Sequence, residues 1–384
     1  MTTIEVDKIG HAPVGSYMAK KQHQRGMSGS YAQLPREELN ARIDSAKKTL
    51  GDRLVILGHH YQRDDVIRFS DFTGDSLKLA KDGAAAQAQY IVLCGVHFMA
   101  ESAAILGRPD QAVILPDLAA GCSMADMADL WQVEEAWRDL NSVLDADAEV
   151  LPITYVNSAA NIKSFVGQHG GACCTSSNAE QVVRWAYAQR PKLFFAPDQH
   201  LGRYVCARKL GIPLDEMIVW DPDEKLGGHA PDTIRRARVI LWKGHCSVHA
   251  QFRPEHVATW RQRVPGIRVI AHPECELSVV DAADDAGSTA YIIKQVEASA
   301  PGSAWAIGTE VNLVSRLQAQ HPDKTIASLA PFACLCSTMY RIDPEELCWA
   351  LENLVEGRVV NQISVPDDVT HWARVALDRM LKIS

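Results

Sequence analysis

Short apolar runs of strand length recur along this chain, and stretches with helical spacing separate most of them. PREELNARIDSAKKTLG has the spacing of a helix that ends at Gly51, and RLVILGHHY after it reads as a buried strand. DSLKLAKDGAAAQ (helix), YIVLCGV (strand), MAESAAILG (helix) and AVILPD (strand) continue the series. After the acidic helical stretch ADLWQVEEAWRDL come VLPITYVN (strand), AANIKSFVGQ (helix), ACCTSS (strand end), NAEQVVRWAYAQ (helix) and KLFFAPD (strand). The last third supplies RARVILWKG, IRVIAHPE, AYIIKQVEAS, SAWAIGTEV and DPEELCWALENLVEG. Alternation of this kind, with strand runs that are apolar throughout, is the pattern of βαβ units around parallel sheets. The fold class is therefore α/β. A chain of 384 residues is too long for one small core, so two or three such units are expected.

Composition excludes several kinds of partner. The formal net charge is −8, the wrong sign for a surface that grips nucleic acid phosphates. The longest apolar stretches fall far short of the roughly 20 residues that span a bilayer. The polar opening, MTTIEVDKIGHAPVGSYMAKKQHQRGMSGS, has no apolar core of a secretory signal, so no membrane association and a cytoplasmic location are expected. The ten cysteines of such a chain are expected to be reduced. Cys94, Cys173, Cys174, Cys206 and Cys348 sit in strand or helix patterns and read as small buried hydrophobes.

The chemistry-bearing residues gather where strands stop: GHHY, CGVHFMAE, TYVN, APDQHLG, GHCSVH and AHPEC. In a parallel sheet that is the carboxyl edge, where ligands bind. His59, His60 and Tyr61 follow one strand, Tyr155 and Asn157 end another, and His249, His272 and Glu274 follow two more. A His–X–Glu pair at such an edge has the groups for proton transfer. Three times a cluster of hydroxyls opens a helix: Ser76, then Thr175, Ser176 and Ser177, then Ser288 and Thr289. Each cluster reads as an N-cap, and the three together also read as helix starts converging on a multiply anionic small molecule. Cys122, Cys246 and Cys336 differ from the other cysteines: the first two lie just past apolar runs and the third follows SLAPFAC, at separations of 124 and 90 residues. That spacing resembles no zinc finger and no ferredoxin motif. One thiolate from each of three units would hold three irons of a [4Fe–4S] cluster and leave the fourth open.

GHHYQRDDVIRFSDFTGDSLKLA, PDLAAGCSMAD, TYVNS, TSSNA, APDQHLGRYV, WKGHCSVHAQF, AHPEC, GSTAYI, GTEVNLV and CSTM stand in the order found in quinolinate synthases. The chain resembles that family over roughly residues 40–340. The resemblance implies three similar α/β domains in pseudo-threefold arrangement around a central cleft. Applied to this chain it divides the sequence into an arm at 1–37, domains at 38–130, 131–240 and 241–332, and a cluster-ligand loop with C-terminal helices at 333–384. It also implies condensation of iminoaspartate with dihydroxyacetone phosphate to quinolinate, with transient contact to the oxidase or dehydrogenase that supplies the imine. A [4Fe–4S] cluster would be held by Cys122, Cys246 and Cys336. His59, Tyr61, Tyr155, His272 and Glu274 would be catalytic. Ser76, Asn157, Ser176, Ser288 and Thr289 would bind substrate together with His59, Tyr155, His272 and Glu274, and His249 would stand beside the cluster. The loop at the third cysteine departs from the family pattern, because Ser337 replaces the usual proline. Met339 keeps its three-residue offset from Cys336, which favours Cys336 over Cys334 as the ligand. Two rival readings follow from the residues alone: a zinc or iron aldolase or hydratase using GHCSVH locally, and a non-catalytic iron–sulfur sensor.

Overall fold

The computed structural model describes Met27 and residues 29–383; residues 1–26, 28 and 384, and with them most of the expected arm, lie outside it. The described strands form three separate sheets in which every pairing is parallel. The first contains β1 (Leu54–His59), β2 (Phe72–Gly74), β3 (Tyr90–Cys94) and β4 (Ala112–Ile114), in the order β2-β1-β3-β4. The second contains β5 (Val150–Tyr155), β6 (Ala172–Cys174), β7 (Lys192–Ala196), β8 (Met217–Trp220) and β9 (Val239–Trp242), in the order β6-β5-β7-β9-β8. The third contains β10 (Arg268–Ala271), β11 (Asp285–Ala286), β12 (Ala304–Gly308) and β13 (Thr325–Ser328), in the order β11-β10-β12-β13.

All three sheets begin with the same winding. The chain steps from the first strand to one side, then crosses back to place the third strand on the other side. The reversal leaves a crevice at the carboxyl ends of the first and third strands, where open parallel sheets bind ligands. β3, β5, β7 and β9 are buried along their whole length, which explains their largely apolar sequences; the polar exceptions, Thr154 and Lys192, are hydrogen-bonded. The α/β fold class with three parallel sheets thus stands as the sequence indicates. β2, β8, β11 and β13 were not legible there, and all four are edge strands. An edge strand pairs on one side only and needs less apolar sequence to form.

The chain ends bind the assembly together. Helix Pro344–Val355 packs on helix Arg36–Leu50, where Arg42 holds Glu352 through two bonds of 2.7 Å. The terminal helix Asp367–Ile383 packs on helix Ala160–Gln168 of the second sheet. Gly167 permits that approach, because a Cβ there would stand 2.1 Å from the Trp372 carbonyl oxygen. Most buried hydrophobic residues form one continuous core. A second cluster, including Ile292, Trp305 and Leu317, fills the space under one face of the third sheet.

Candidate functional site

The first strand of each sheet carries reactive side chains at its carboxyl end. His59 ends β1 and Tyr61 follows two residues on; Tyr155 ends β5 and Asn157 follows likewise; His272 directly follows β10, with Glu274 two further. The second strands repeat a different feature. Ser76, Ser176 and Ser288 each stand two residues past the end of β2, β6 and β11. All of these residues except Ser288 converge on one cavity of about 70 Å³, lined also by Cys122, Cys246, Cys336, His249 and Thr289.

Capping and ligand-facing roles are divided among neighbouring residues. Asp75, not Ser76, caps helix Ser76–Ala85 by accepting from the Lys78 N–H, so Ser76 lines the cavity. In the second unit Asn178 accepts from the Thr175 N–H, and Ser176 lines the cavity. The third unit reverses this division. Ser288 spends its hydroxyl oxygen on the Tyr291 N–H as the N-cap, and Thr289 takes the place in the cavity wall. Of the residues expected to meet substrate, Ser288 alone is absent from that wall.

Contacts across the cavity tie the three units together. Tyr155 donates to Glu274 Oε1 at 2.6 Å, and His249 Nδ1 lies 2.8 Å from Oε2. The Tyr61 hydroxyl reaches Thr289 Oγ1 at 3.1 Å and Thr309 Oγ1 at 2.8 Å. His272 Nε2 lies 3.3 Å from Ser176 Oγ, while its Nδ1 accepts from the Glu274 N–H at 3.4 Å. His59 Nδ1 likewise accepts from the Tyr61 N–H at 3.1 Å. Both rings therefore carry their proton on Nε2.

Burial sets the protonation of these groups. It lowers His59 and His272 to about 3, so both are neutral at physiological pH. Burial, and then the nearby Glu274 charge, hold Tyr61 and Tyr155 well above the usual phenol value. Burial alone would raise Glu274, but His249, His272 and the Tyr155 bond outweigh it and keep the carboxyl below its usual range. The site thus sets the Glu274 carboxylate among neutral imidazole and phenol donors.

Cys122, Cys246 and Cys336 are the half-buried cysteines; the other seven are fully buried. Each begins the same turn. The N–H of Asp126, Ala250 and Tyr340 donates to the carbonyl of the cysteine four residues earlier. N–H groups of Met124 and Ala125 point at the Cys122 thiol, that of His249 at Cys246, and those of Thr338 and Met339 at Cys336. A serine follows every one of the three: Ser123, Ser247 and Ser337. This threefold Cys-Ser repeat is a signal in the sequence that the separations between the cysteines conceal. Burial pushes the Cys122 thiol to about 12 and Cys246 well above its ordinary value, with the neighbouring thiols adding to both. Cys334 is buried away from the cavity wall, and Glu310 accepts from the N–H of Cys336 at 3.5 Å. Three thiols in one cavity, each with N–H donors to support a thiolate, suit a cluster with three protein ligands.

Sequence reasoning gave no role to Thr309, inside GTEVNLV, although it touches both Tyr61 and His249. The polar pair after a buried strand was its only mark. His245, the first residue of the HCSVH segment, is absent from the cavity wall.

Comparison with known proteins decides the family. A sequence model described as quinolinate synthetase A protein matches residues 41–382. The chain belongs to the quinolinate synthetase A family. A protein of Herpetosiphon aurantiacus named quinolinate synthase is 62% identical over 385 residues, covering 100% of both chains. One of Acidobacterium capsulatum with the same name is 56% identical over 355 residues, covering 92% of this chain and 95% of its own. A third, from a Nocardioides species, is 55% identical over 349 residues, covering 89% and 88%. Such relatives make this chain one of a family of biosynthetic enzymes. No helix among the described residues is long and apolar enough to cross a membrane.

Proposed function

We propose that this protein is a quinolinate synthase that condenses iminoaspartate with dihydroxyacetone phosphate, releasing phosphate and water, with a [4Fe–4S] cluster on Cys122, Cys246 and Cys336. The observation that carries this reading is that the three repeated Cys-Ser turns and the Glu274 carboxylate border one cavity. When bound, the cluster supplies an open iron as a Lewis acid for oxygen on the substrate.

The chain's own residues do the rest. Ser76, Ser176, Thr289 and Asn157 hold the carboxylates and phosphate near helix starts, where backbone dipoles favour anions. Holding two substrates in register contributes up to roughly 7–11 kcal/mol to a bimolecular condensation. Glu274 takes and returns protons, with Tyr155 giving the bond that keeps it in place. His59 and His272, each with Nε2–H and no charge, donate to substrate oxygen, His272 from beside the Ser176 hydroxyl. Tyr61 closes the wall between the first and third units.

Cys246, His249 and Glu274 offer ligand atoms within 4.8 Å of one another, and this favours one specific rival, a single divalent ion in a metal-dependent aldolase or hydratase. Anaerobically isolated protein, supplied with dihydroxyacetone phosphate and freshly generated iminoaspartate, is expected to release quinolinate, identified by chromatography and mass. No quinolinate from protein with a full complement of iron would overturn the proposal. About one zinc per chain with no sulfide would establish the rival.

A further inference from the structure

Two of the three cysteine turns are joined by an ion pair that the chemistry of the cavity does not use. Asp117 stands five residues before Cys122, and Arg341 stands five residues after Cys336. Arg341 Nε donates to Asp117 Oδ2 at 2.8 Å. We propose that this pair is a clasp that positions the Cys336 turn, and with it the third thiolate, against the Cys122 turn; the proposal rests on the cluster reading above.

Asp117 is the anchored end. Its side chain is 1% exposed, and its Oδ1 accepts from the Ala119 N–H at 2.8 Å. Its carbonyl accepts from the Ala120 N–H at 3.0 Å, so the PDLAAG segment is folded around this residue just before Cys122. A second tie holds the far side of the same turn. Trp242, the last residue of β9, donates from Nε1 to the Met127 carbonyl at 2.6 Å, four residues before Cys246. Cys122 and Cys246 therefore sit on segments fixed to each other by a bond that does not involve the ion pair.

The Cys336 turn is less well supported. Among residues 329–343, between β13 and helix Pro344–Val355, the one regular element is the short turn Met339–Arg341. The stretch CSTMYR contains no proline to fix its backbone. Gln62 Nε2 donates to the Met339 carbonyl at 3.0 Å, and the Arg63 guanidinium lies over the Tyr340 ring, but both of these reach the loop after β1. The Arg341 bond is the one that reaches another cysteine turn. Breaking it leaves a buried carboxylate without its cation. Arg341, 28% exposed, then has water to turn to, so the Cys336 end is the end that moves.

The experiment compares wild type, Arg341→Met, Asp117→Asn and the double variant, each prepared anaerobically with iron and sulfide counted. Iron loss to excess EDTA is followed with iodoacetamide present throughout, and labelling of Cys122, Cys246 and Cys336 is read by mass spectrometry. Each single variant is expected to lose iron about 10- to 100-fold faster than wild type, the span of a charge-assisted hydrogen bond. The double variant is expected to be about as fast as the faster single variant, because both changes remove one shared contact. In the single variants Cys336 is expected to be labelled ahead of Cys122 and Cys246. If Arg341→Met does not fold, Asp117→Asn, which keeps its volume and an oxygen for the Ala119 N–H, carries the comparison with wild type. Single variants that lose iron at the wild-type rate overturn the proposal. So do effects that multiply in the double variant, or three thiols labelled together, which is the sign of general loosening. Wild type that holds no sulfide refutes the cluster reading itself, an outcome separate from these.

Discussion

Replacing Glu274 with Gln removes a charge and almost no volume. The carboxylate is 4% exposed, accepts from Tyr155 at 2.6 Å and stands 2.8 Å from His249 Nδ1. Glutamine can keep the Tyr155 bond through its carbonyl, which turns its NH2 group toward His249. The negative charge that faced His249 Nδ1 at 2.8 Å is then gone. The variant also has no basic oxygen to receive a substrate proton. Loss of a positioned proton-transfer group costs about 100-fold or more in kcat, about 2.7 kcal/mol or more in barrier. Binding of the phosphate substrate rests on other residues, so KM is expected to move little. The assay is quinolinate formation under anaerobic conditions, with iron and sulfide counted on the same samples. Wild-type turnover in Glu274→Gln would refute the role given to the carboxylate. Loss of iron in that variant would instead make Glu274 a metal ligand.

Other outcomes follow from the same structure. Cys334→Ala is expected to keep its iron and Cys336→Ala to lose it, by metal analysis after anaerobic purification. Because His59 and His272 are held neutral, with values near 3 in the fold against about 6.5 unfolded, the unfolded chain binds more protons below pH 6.5. Stability therefore falls as pH drops from 6.5 toward 3, by about 2 kcal/mol per histidine at pH 5, and urea unfolding of His59→Gln should show a shallower fall. The Arg42 hydrogen bonds depress Glu352, whose contribution is present above the ordinary carboxylate range and is lost as pH falls through its folded value; Glu352→Gln should remove that part of the acid-side slope. Gly167→Ala drives a Cβ to 2.1 Å from the Trp372 carbonyl and is expected to lower stability by about 1–3 kcal/mol in thermal or urea unfolding, with the terminal helix displaced.

The parts of the fold legible in the sequence were those where one physical demand acts alone. β3 and β7 are covered on both faces, so YIVLC and LFFA have to be apolar, while Lys192 at the start of β7 donates to the Arg235 and Ala237 carbonyls. β11, with two residues at a sheet edge, carries no such demand and left no pattern. The site was legible at strand ends, because polar residues such as His59 and Glu274 have no other reason to follow a buried run. Where two roles compete for one hydroxyl, sequence could not assign them: Ser76 and Ser288 stand at the same offset from their strands, yet Ser76 lines the cavity while Ser288 caps a helix. Thr309 was missed because the residues it touches, Tyr61 and His249, lie 248 and 60 positions away.

The claim beneath all of this is that three distant turns share one four-iron cluster. Iron and acid-labile sulfide, counted per chain in anaerobically prepared wild type and in Cys122→Ala, Cys246→Ala and Cys336→Ala, test it most directly. About four of each in the wild type, and loss of the cluster in every single variant, is the predicted result. A single metal ion without sulfide, or four irons that survive removal of any one of these thiols, would contradict it.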